Sequence, residues 1–270
     1  MSSALLPTGS PTLPPPVAPS VAPTTTLLDV RGLCIRSPGR TLVEGVDITV
    51  RAGRVTALCG PSGAGKSLCA RVCMGIVDLH PGVTAGQLRY PELGGDEDWL
   101  APHLGSGPSG WRRLRERTGT LRGGWLSYAP QAASSALNPG RTIGWQLALA
   151  LSRRRAAPPG SHPARPPEIV RLLDRVGLPP SAARSLPGEL SGGMCQRAAL
   201  AVAMAPSPRL LIADEPETGL DPVIRRQIVE LLVSLAHAEG CGLLLISHHE
   251  DTVDRVAHDV VRLGPARVAA

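Results

Sequence analysis

The 270-residue chain contains no phenylalanine, and aromatic residues make up only 2% of it. Lys66 is its one lysine and Asn138 its one asparagine. That pattern reads as a coding bias toward Arg, Ala, Gly and Pro. The net charge of +6 and pI near 9.4 are therefore weak grounds for expecting nucleic acid or an anionic membrane surface as a partner. No apolar run approaches the roughly 18 residues that a spanning helix needs, which argues against an integral membrane protein. The N-terminus has no basic stretch, and prolines interrupt its apolar residues, so the sequence reads against a secretory signal. The six cysteines (34, 59, 69, 73, 195 and 241) include no C-x-x-C pair and fall mostly in apolar segments. Buried, reduced thiols in a cytoplasmic protein are expected, rather than a metal or disulfide framework. A hydrophobic share of 43% and a mean hydropathy of +0.06 suffice to fill a core. Wholesale disorder is thereby excluded, and the length fits one large domain or two small ones.

Residues 1–24 are rich in Pro, Ser, Ala and Thr without a period and are predicted to be a disordered leader. From Leu27 the texture changes. Leu27–Val30 and Thr41–Val50 alternate apolar and polar residues around Ser37-Pro38-Gly39, the pattern of two strands joined by a turn. Arg54–Cys59, Leu210–Ala213 and Gly242–Ser247 are short apolar runs of the kind that make buried strands, and Val260–Leu263 is a further strand candidate. Leu68, Val72 and Ile76 recur at helical spacing, as do Ile169, Leu172, Leu173 and Val176, and Ile224, Ile228, Leu231, Leu232 and Leu235. Pro91–Gly110 reads as a surface loop and Ala156–Pro167 as a proline-laden linker. Strands alternating with helices point to an α/β fold with a parallel sheet covered on both faces. The mostly helical stretch from about 140 to 205 interrupts that alternation as a subdomain.

Gly60-Pro61-Ser62-Gly63-Ala64-Gly65-Lys66-Ser67 matches G-x-x-x-x-G-K-[ST], with a strand predicted before it and a helix after it. The glycines let backbone N–H groups turn toward phosphate oxygens. Lys66 supplies a cation for β- and γ-phosphates, and Ser67 an oxygen for Mg²⁺. The apolar run Leu210–Ala213 ends in Asp214 and Glu215. Asp214 can hold Mg²⁺ through water, and Glu215 can polarise an attacking water. Upstream, Leu190-Ser191-Gly192-Gly193-Met194-Cys195-Gln196-Arg197 is a Gly-Gly turn opening an apolar helix.

With these three motifs in this order, the chain resembles the ATP-binding-cassette (ABC) ATPases from about Leu27 to Leu263. The resemblance implies a P-loop NTPase with a RecA-like parallel-sheet core, an antiparallel β-subdomain and a helical subdomain, occupying residues 25–268. It implies ATP and Mg²⁺ as cofactors. Gly60 to Ser67 would bind nucleotide, and Ser67, Gln131 and Asp214 would serve the metal. Glu215, His248 and Gln131 would be the catalytic residues. Gln131, in Tyr128-Ala129-Pro130-Gln131, matches the glutamine linking nucleotide to the transmembrane partner. His248, in Ile246-Ser247-His248-His249, matches the histidine that senses the γ-phosphate, and Gly219-Leu220-Asp221 resembles the loop that crosses the dimer interface. Members work as head-to-tail dimers, so Ser191, Gly192 and Gly193 would close over ATP bound to the other subunit.

Gly65–Leu68, Met74–Ile76, Gly82–Gly86 and Ser135-Ala136-Leu137-Asn138-Pro139 are similar to the nickel and dipeptide/oligopeptide importer group, nearest to its nickel-import members. The resemblance implies an ATP-hydrolysing importer subunit on the cytoplasmic face of the membrane. Its partners would be two permeases, a second homologous ATPase (a like or unlike copy) and, indirectly, an extracytoplasmic binding protein, with no nucleic acid. The competing readings are a soluble ABC ATPase acting on nucleic acid and the ATPase of an exporter. Three departures stand out. No aromatic occupies the place near Ser37 where the family stacks adenine. Glu217 stands where the group usually has a small hydroxyl residue. The sequence also stops soon after Leu263, short of the C-terminal extension common in peptide-importer subunits.

Overall fold

The structure is a computed structural model that describes residues 25–131, 136–154, 166–265 and 267–268. The predicted leader (1–24), Ser135 and most of the predicted linker (156–165) lie outside the described residues. The alternating segments near the start form a hairpin: β1 (Thr26–Ser37) and β2 (Arg40–Arg51) pair antiparallel, with Ser37 opposite Arg40 and Val30 opposite Ile48. β4 (Gly82–Arg89) covers the other edge of β1. A short β9 (Arg267–Val268), with no signal in the sequence, covers the edge of β2, giving the order β4-β1-β2-β9.

The continuous apolar runs build the second sheet. β3 (Val55–Cys59), β5 (Leu126–Ala129), β6 (Leu210–Asp214), β7 (Gly242–Ile246) and β8 (Asp259–Arg262) pair parallel in the order β5-β6-β7-β3-β8. All residues of β3, β6 and β7 are buried, as expected when both faces of a sheet are covered. Alternate residues go to opposite faces. Leu210, Ile212, Leu244 and Ile246 join a core shared with β1, β2, β4 and α1 (Lys66–Val72). Leu211, Ala213, Leu243 and Leu245 join a second core with helical residues. Those belong to α4 (Ile143–Leu151), α5 (Pro166–Arg175), α6 (Gly192–Met204) and α7 (Pro222–Ala238). The first three of these helices lie between β5 and β6, within the stretch read as a helical subdomain. α7 joins β6 to β7, and α8 (Glu250–Val256) joins β7 to β8.

One expectation fails. Pro91–Gly110 is not simply a surface loop: it contains α2 (Pro91–Gly94), a 3₁₀ turn (Ala101–His103) and the start of α3 (Gly107–Gly119). Trp99 and Leu100 are buried, and the Asp98 carboxylate accepts from the N–H groups of Leu88 and Leu100 at 3.0 and 2.9 Å. The few aromatics are concentrated here. Tyr90 meets Trp99 and Trp125 edge-on, with ring centroids at 5.0 and 5.8 Å, and Arg117 lies over Trp99 at 3.8 Å. Composition hid this segment because its acid and its charged neighbours serve buried backbone and ring faces rather than water. Along α3, Trp111, Leu114 and Thr118 make one buried face. Among the described residues no helix is long and apolar enough to cross a membrane. Among the described residues the six cysteines form no disulfide, and all but Cys34 are buried.

Candidate functional site

The loop after β3 is shaped by close backbone approaches. Gly60 has φ +149°, and a Cβ there would lie 2.6 Å from the Leu263 carbonyl oxygen beyond β8. Gly65 has φ +90°, and its Cβ would meet Val43 Cγ2 at 2.5 Å, where β2 passes under the loop. Helix α1 then starts at Lys66, leaving the N–H groups of its first turn without intrahelical acceptors and available to an anion. Lys66 is buried, and its ammonium donates to the carbonyls of Gly60 and Pro61 at 2.9 and 3.0 Å.

β6 delivers the acids. Asp214 ends the strand in a buried position, where Ser67 Oγ donates to Oδ1 at 3.0 Å and Tyr128 Oη donates to Oδ2 at 3.1 Å. Burial pushes the Asp214 carboxyl above the usual carboxylate range, against those two hydrogen bonds, which favour the ionised form. Burial, and then the charge of Asp214, push the Tyr128 phenol well up, so it stays protonated and donates. Ser67 Oγ, the Asp214 carboxylate and the side-chain carbonyl of Gln131 are hard oxygen donors, a set that fits Mg²⁺.

The next residue turns out of the strand. Glu215 adopts φ +46°, unusual for a non-glycine residue, while its N–H still donates to Ile246 O at 3.0 Å. Its carboxylate becomes a meeting point. Oε1 lies 3.7 Å from Lys66 Nζ and 3.2 Å from His248 Nδ1. Oε2 accepts from Gln131 Nε2 at 3.3 Å and from Thr218 Oγ1 at 3.1 Å. Thus Lys66, Gln131, Glu215 and His248, far apart in sequence, converge at the carboxyl ends of β3, β5, β6 and β7. Ser67 and Asp214 stand beside them.

Ser191, Gly192 and Gly193 lie elsewhere. Ser191 caps α6, its Oγ accepting from Met194 N–H at 3.3 Å. Among the described residues the turn shares no hydrogen bond with Gly60–Ser67. Asp221 caps α7, accepting from the N–H groups of Val223 and Ile224 at 3.0 and 3.1 Å. Sequence reasoning overlooked Tyr128, Thr218 and Ser247. Tyr128 alone had a signal, as one of two tyrosines and three residues before Gln131. A groove of about 800 Å³ runs beside β5 between Met74, Tyr128, Asn138 and the half-exposed Trp145 and Leu149 of α4. Asn138 is fastened there: its N–H donates to Gln146 Oε1 at 2.8 Å, and Gln146 Nε2 donates back to its carbonyl at 3.1 Å.

Comparison with known proteins gives a consistent answer. The fold is shared with cbiO1 from Clostridium perfringens, part of the ABC transporter complex cbiONQ: TM-score 0.65, 23% identity, covering 88% of this chain and 84% of that one. It is shared equally with the dimeric bacterial ABC transporter cassette MJ0796: TM-score 0.66, 20% identity, 90% and 99%. In sequence the chain is 34% identical over 221 residues to the dipeptide transport ATP-binding protein DppD of Escherichia coli, covering 81% of this chain but only 62% of that protein's length. A putative peptide import ATP-binding protein of Brucella ovis is 35% identical over 249 residues, with 90% and 70% covered. The family model described as ABC transporter matches residues 43–218, and with the loop, acids and turn assembled as above the chain belongs to the ABC transporter family.

Proposed function

We propose that residues 25–268 form the ATP-binding and ATP-hydrolysing domain of an ABC importer. The observation that carries the reading is the Glu215 carboxylate: it receives Lys66, Gln131 and His248 beside a phosphate-binding loop, while Ser67 and Tyr128 hold Asp214. Lys66 moves from the Gly60 and Pro61 carbonyls to the β- and γ-phosphates as the loop N–H groups of residues 60–67 take phosphate oxygens. Ser67, Asp214 and Gln131 would hold Mg²⁺, which when bound neutralises charge on the phosphate oxygens. Glu215 takes the proton of the attacking water. His248 steadies that carboxylate and meets the γ-phosphate. The chemistry is positioning and electrostatic stabilisation of phosphoryl transfer to water. Ser191, Gly192 and Gly193, which among the described residues share no hydrogen bond with their own loop, serve ATP on the opposite subunit of a head-to-tail dimer, as the family resemblance implies, and its second member is a like or homologous ATPase.

The groove beside β5 is the seat for one of two membrane permeases, the other docking on the second ATPase. Gln131 follows β5, whose Leu126, Ser127 and Tyr128 line that groove, so its motion is passed there, and the protein sits peripherally on the cytoplasmic face. An extracytoplasmic binding protein brings the cargo, and nucleic acid takes no part. Of the two cargoes left open by the sequence, nickel and di- or oligopeptides, the names carried by the E. coli and B. ovis relatives favour peptides. The test is to trap the Glu215→Gln variant with ATP in its native host, solubilise the membranes gently and identify what co-purifies. Permeases with a peptide-binding protein support the reading. A nickel-binding protein shifts the cargo, and permeases encoded with no binding protein point to export. Recovery of nucleic acid or ribosomes without permeases overturns transport.

A further inference from the structure

Glu217 has no part in the machinery above, yet it is fully buried two residues from Glu215. Ser247 Oγ donates to its Oε1, and among the described residues its Oε2 has no hydrogen-bond partner. An acid buried with one oxygen unpaired is costly, and a neutral side chain of similar size would fit with less penalty. Ser247 is itself completely buried and immediately precedes His248. Its N–H donates to Leu58 O of β3 at 3.3 Å, and its Oγ accepts from His249 N–H at 3.1 Å. The backbone on both sides of His248 is therefore fixed through one hydroxyl, and Glu217 fixes that hydroxyl. The segment carrying Glu217 is held from its other side too, since buried Gln196 of α6 donates through Nε2 to the Pro216 carbonyl. Burial pushes the Glu217 carboxyl up; the charge of Glu215 adds to this and that of His248 opposes it, so both neighbours are within electrostatic reach.

We infer that Glu217 is a positioning residue for ATP hydrolysis: through Ser247 it clamps the end of β7 to the segment after β6 and so sets His248 against Glu215. The inference rests on the hydrolytic role proposed for His248. Displacing a catalytic group by a fraction of an ångström lowers turnover far more than it lowers substrate binding. The test measures, in the assembled complex with the partner ATPase and permeases, kcat, KM and ATP dissociation constants for the parent, Glu217→Ala, Glu217→Gln, Ser247→Ala, His248→Ala and the Glu217→Ala/His248→Ala pair, with thermal melting of each.

Glu217→Ala and Ser247→Ala are expected to lower kcat about 10-fold. ATP dissociation constants should stay within about threefold of the parent, and Glu217→Gln, which keeps an acceptor of the same shape, should recover most of the rate. The double variant should be no slower than His248→Ala, because a clamp has nothing to act on once the histidine is gone. A parent-like Glu217→Ala beside a slowed His248→Ala overturns the inference and leaves the proposed function standing. So does a loss that multiplies with that of His248→Ala. A parent that does not hydrolyse ATP, or that is indifferent to His248→Ala, fails the proposed function and this inference with it. Should Glu217→Ala not fold, Ser247→Ala and its pair with His248→Ala decide the matter from the other end of the same bond.

Discussion

All residues of β3, β6 and β7 are buried, whereas β1, β2 and β4 mix buried positions with exposed ones along their length. A strand covered on both faces can present polar side chains only where it ends. The parallel sheet accordingly gathers Lys66, Gln131, Asp214, Glu215 and His248 at its carboxyl edge. The antiparallel sheet has a wet face and places its charges along it, as where Arg31 meets Asp29 at 2.7 Å and donates to Thr49 at 3.2 Å. Against the phosphate loop it sets Val43 and the Leu42 carbonyl, directly under Gly65. The same apolar material thus makes a reactive edge in one sheet and a platform in the other.

If that division is right, the largest effects belong to the parallel sheet. Glu215→Gln keeps the shape of the side chain but removes the carboxylate proposed as the base, so ATP turnover should fall roughly 10²–10⁴-fold with ATP binding retained. Lys66→Ala should lose measurable ATP binding instead. Steady-state hydrolysis and equilibrium titration of the two variants separate the roles; equal defects in both assays would mean that the edge works as one undivided anion site.

Gly65 is where the phosphate loop meets the antiparallel sheet, and it sharpens the comparison. Gly65→Ala must carry a side chain at φ +90° and put its Cβ 2.5 Å from Val43. Gly63→Ala, at φ +78° with nothing within 4 Å, carries only the conformational strain, about 1–3 kcal/mol. The Gly65 variant should therefore bind ATP at least about 10-fold more weakly than the Gly63 variant. Adding Val43→Ala should recover part of the difference. Equal affinities would show that the platform does not constrain the loop.

The reactive edge was largely legible because phosphate chemistry demands particular residues in short runs. Gly60 to Ser67, Asp214–Glu215 and Ser191–Gly193 announce themselves locally, and the apolar runs place them at strand ends. What stayed hidden depends on contacts distant in sequence. Tyr128 reaches Asp214 across two strands, and Ser247 meets Glu217 across thirty residues. No local period encodes either pair. The segment from Pro91 to Gly110 reads as a loop for a related reason: its buried Trp99, Leu100 and His103 are spaced among Gly, Pro and charge, and only the fold shows which of them face inward.

Glu217 yields a smaller effect, this time in stability. Burial raises its folded-state carboxyl above the value in the unfolded chain, so between those two values the native state holds more protons than the unfolded one. Stability attached to this group is therefore full at acid pH and lost as pH rises through the folded value. Glu217→Gln removes that loss. Its melting temperature should gain on that of the parent as pH rises from about 4.5 to about 7.5. A flat difference across that range would mean that the carboxyl ionises alike in both states.

The smallest effect should come from the platform itself. Ser37 closes β1 opposite Arg40, at the turn where the family resemblance implies an aromatic against adenine. Stacking a base on an aromatic ring is worth about 1–3 kcal/mol, and an exposed ring at a turn recovers only part of it. Ser37→Tyr should thus tighten ATP binding about fivefold while leaving kcat at saturating ATP unchanged, because the added contact is the same in the ground and transition states. GTP and ATP should gain alike, since stacking scarcely distinguishes purines. A change in kcat would break the comparison, showing that a contact made on the antiparallel sheet reaches the edge where the water attacks. An unchanged dissociation constant would instead mean that the nucleotide is held through its phosphates, with the platform contributing position rather than affinity.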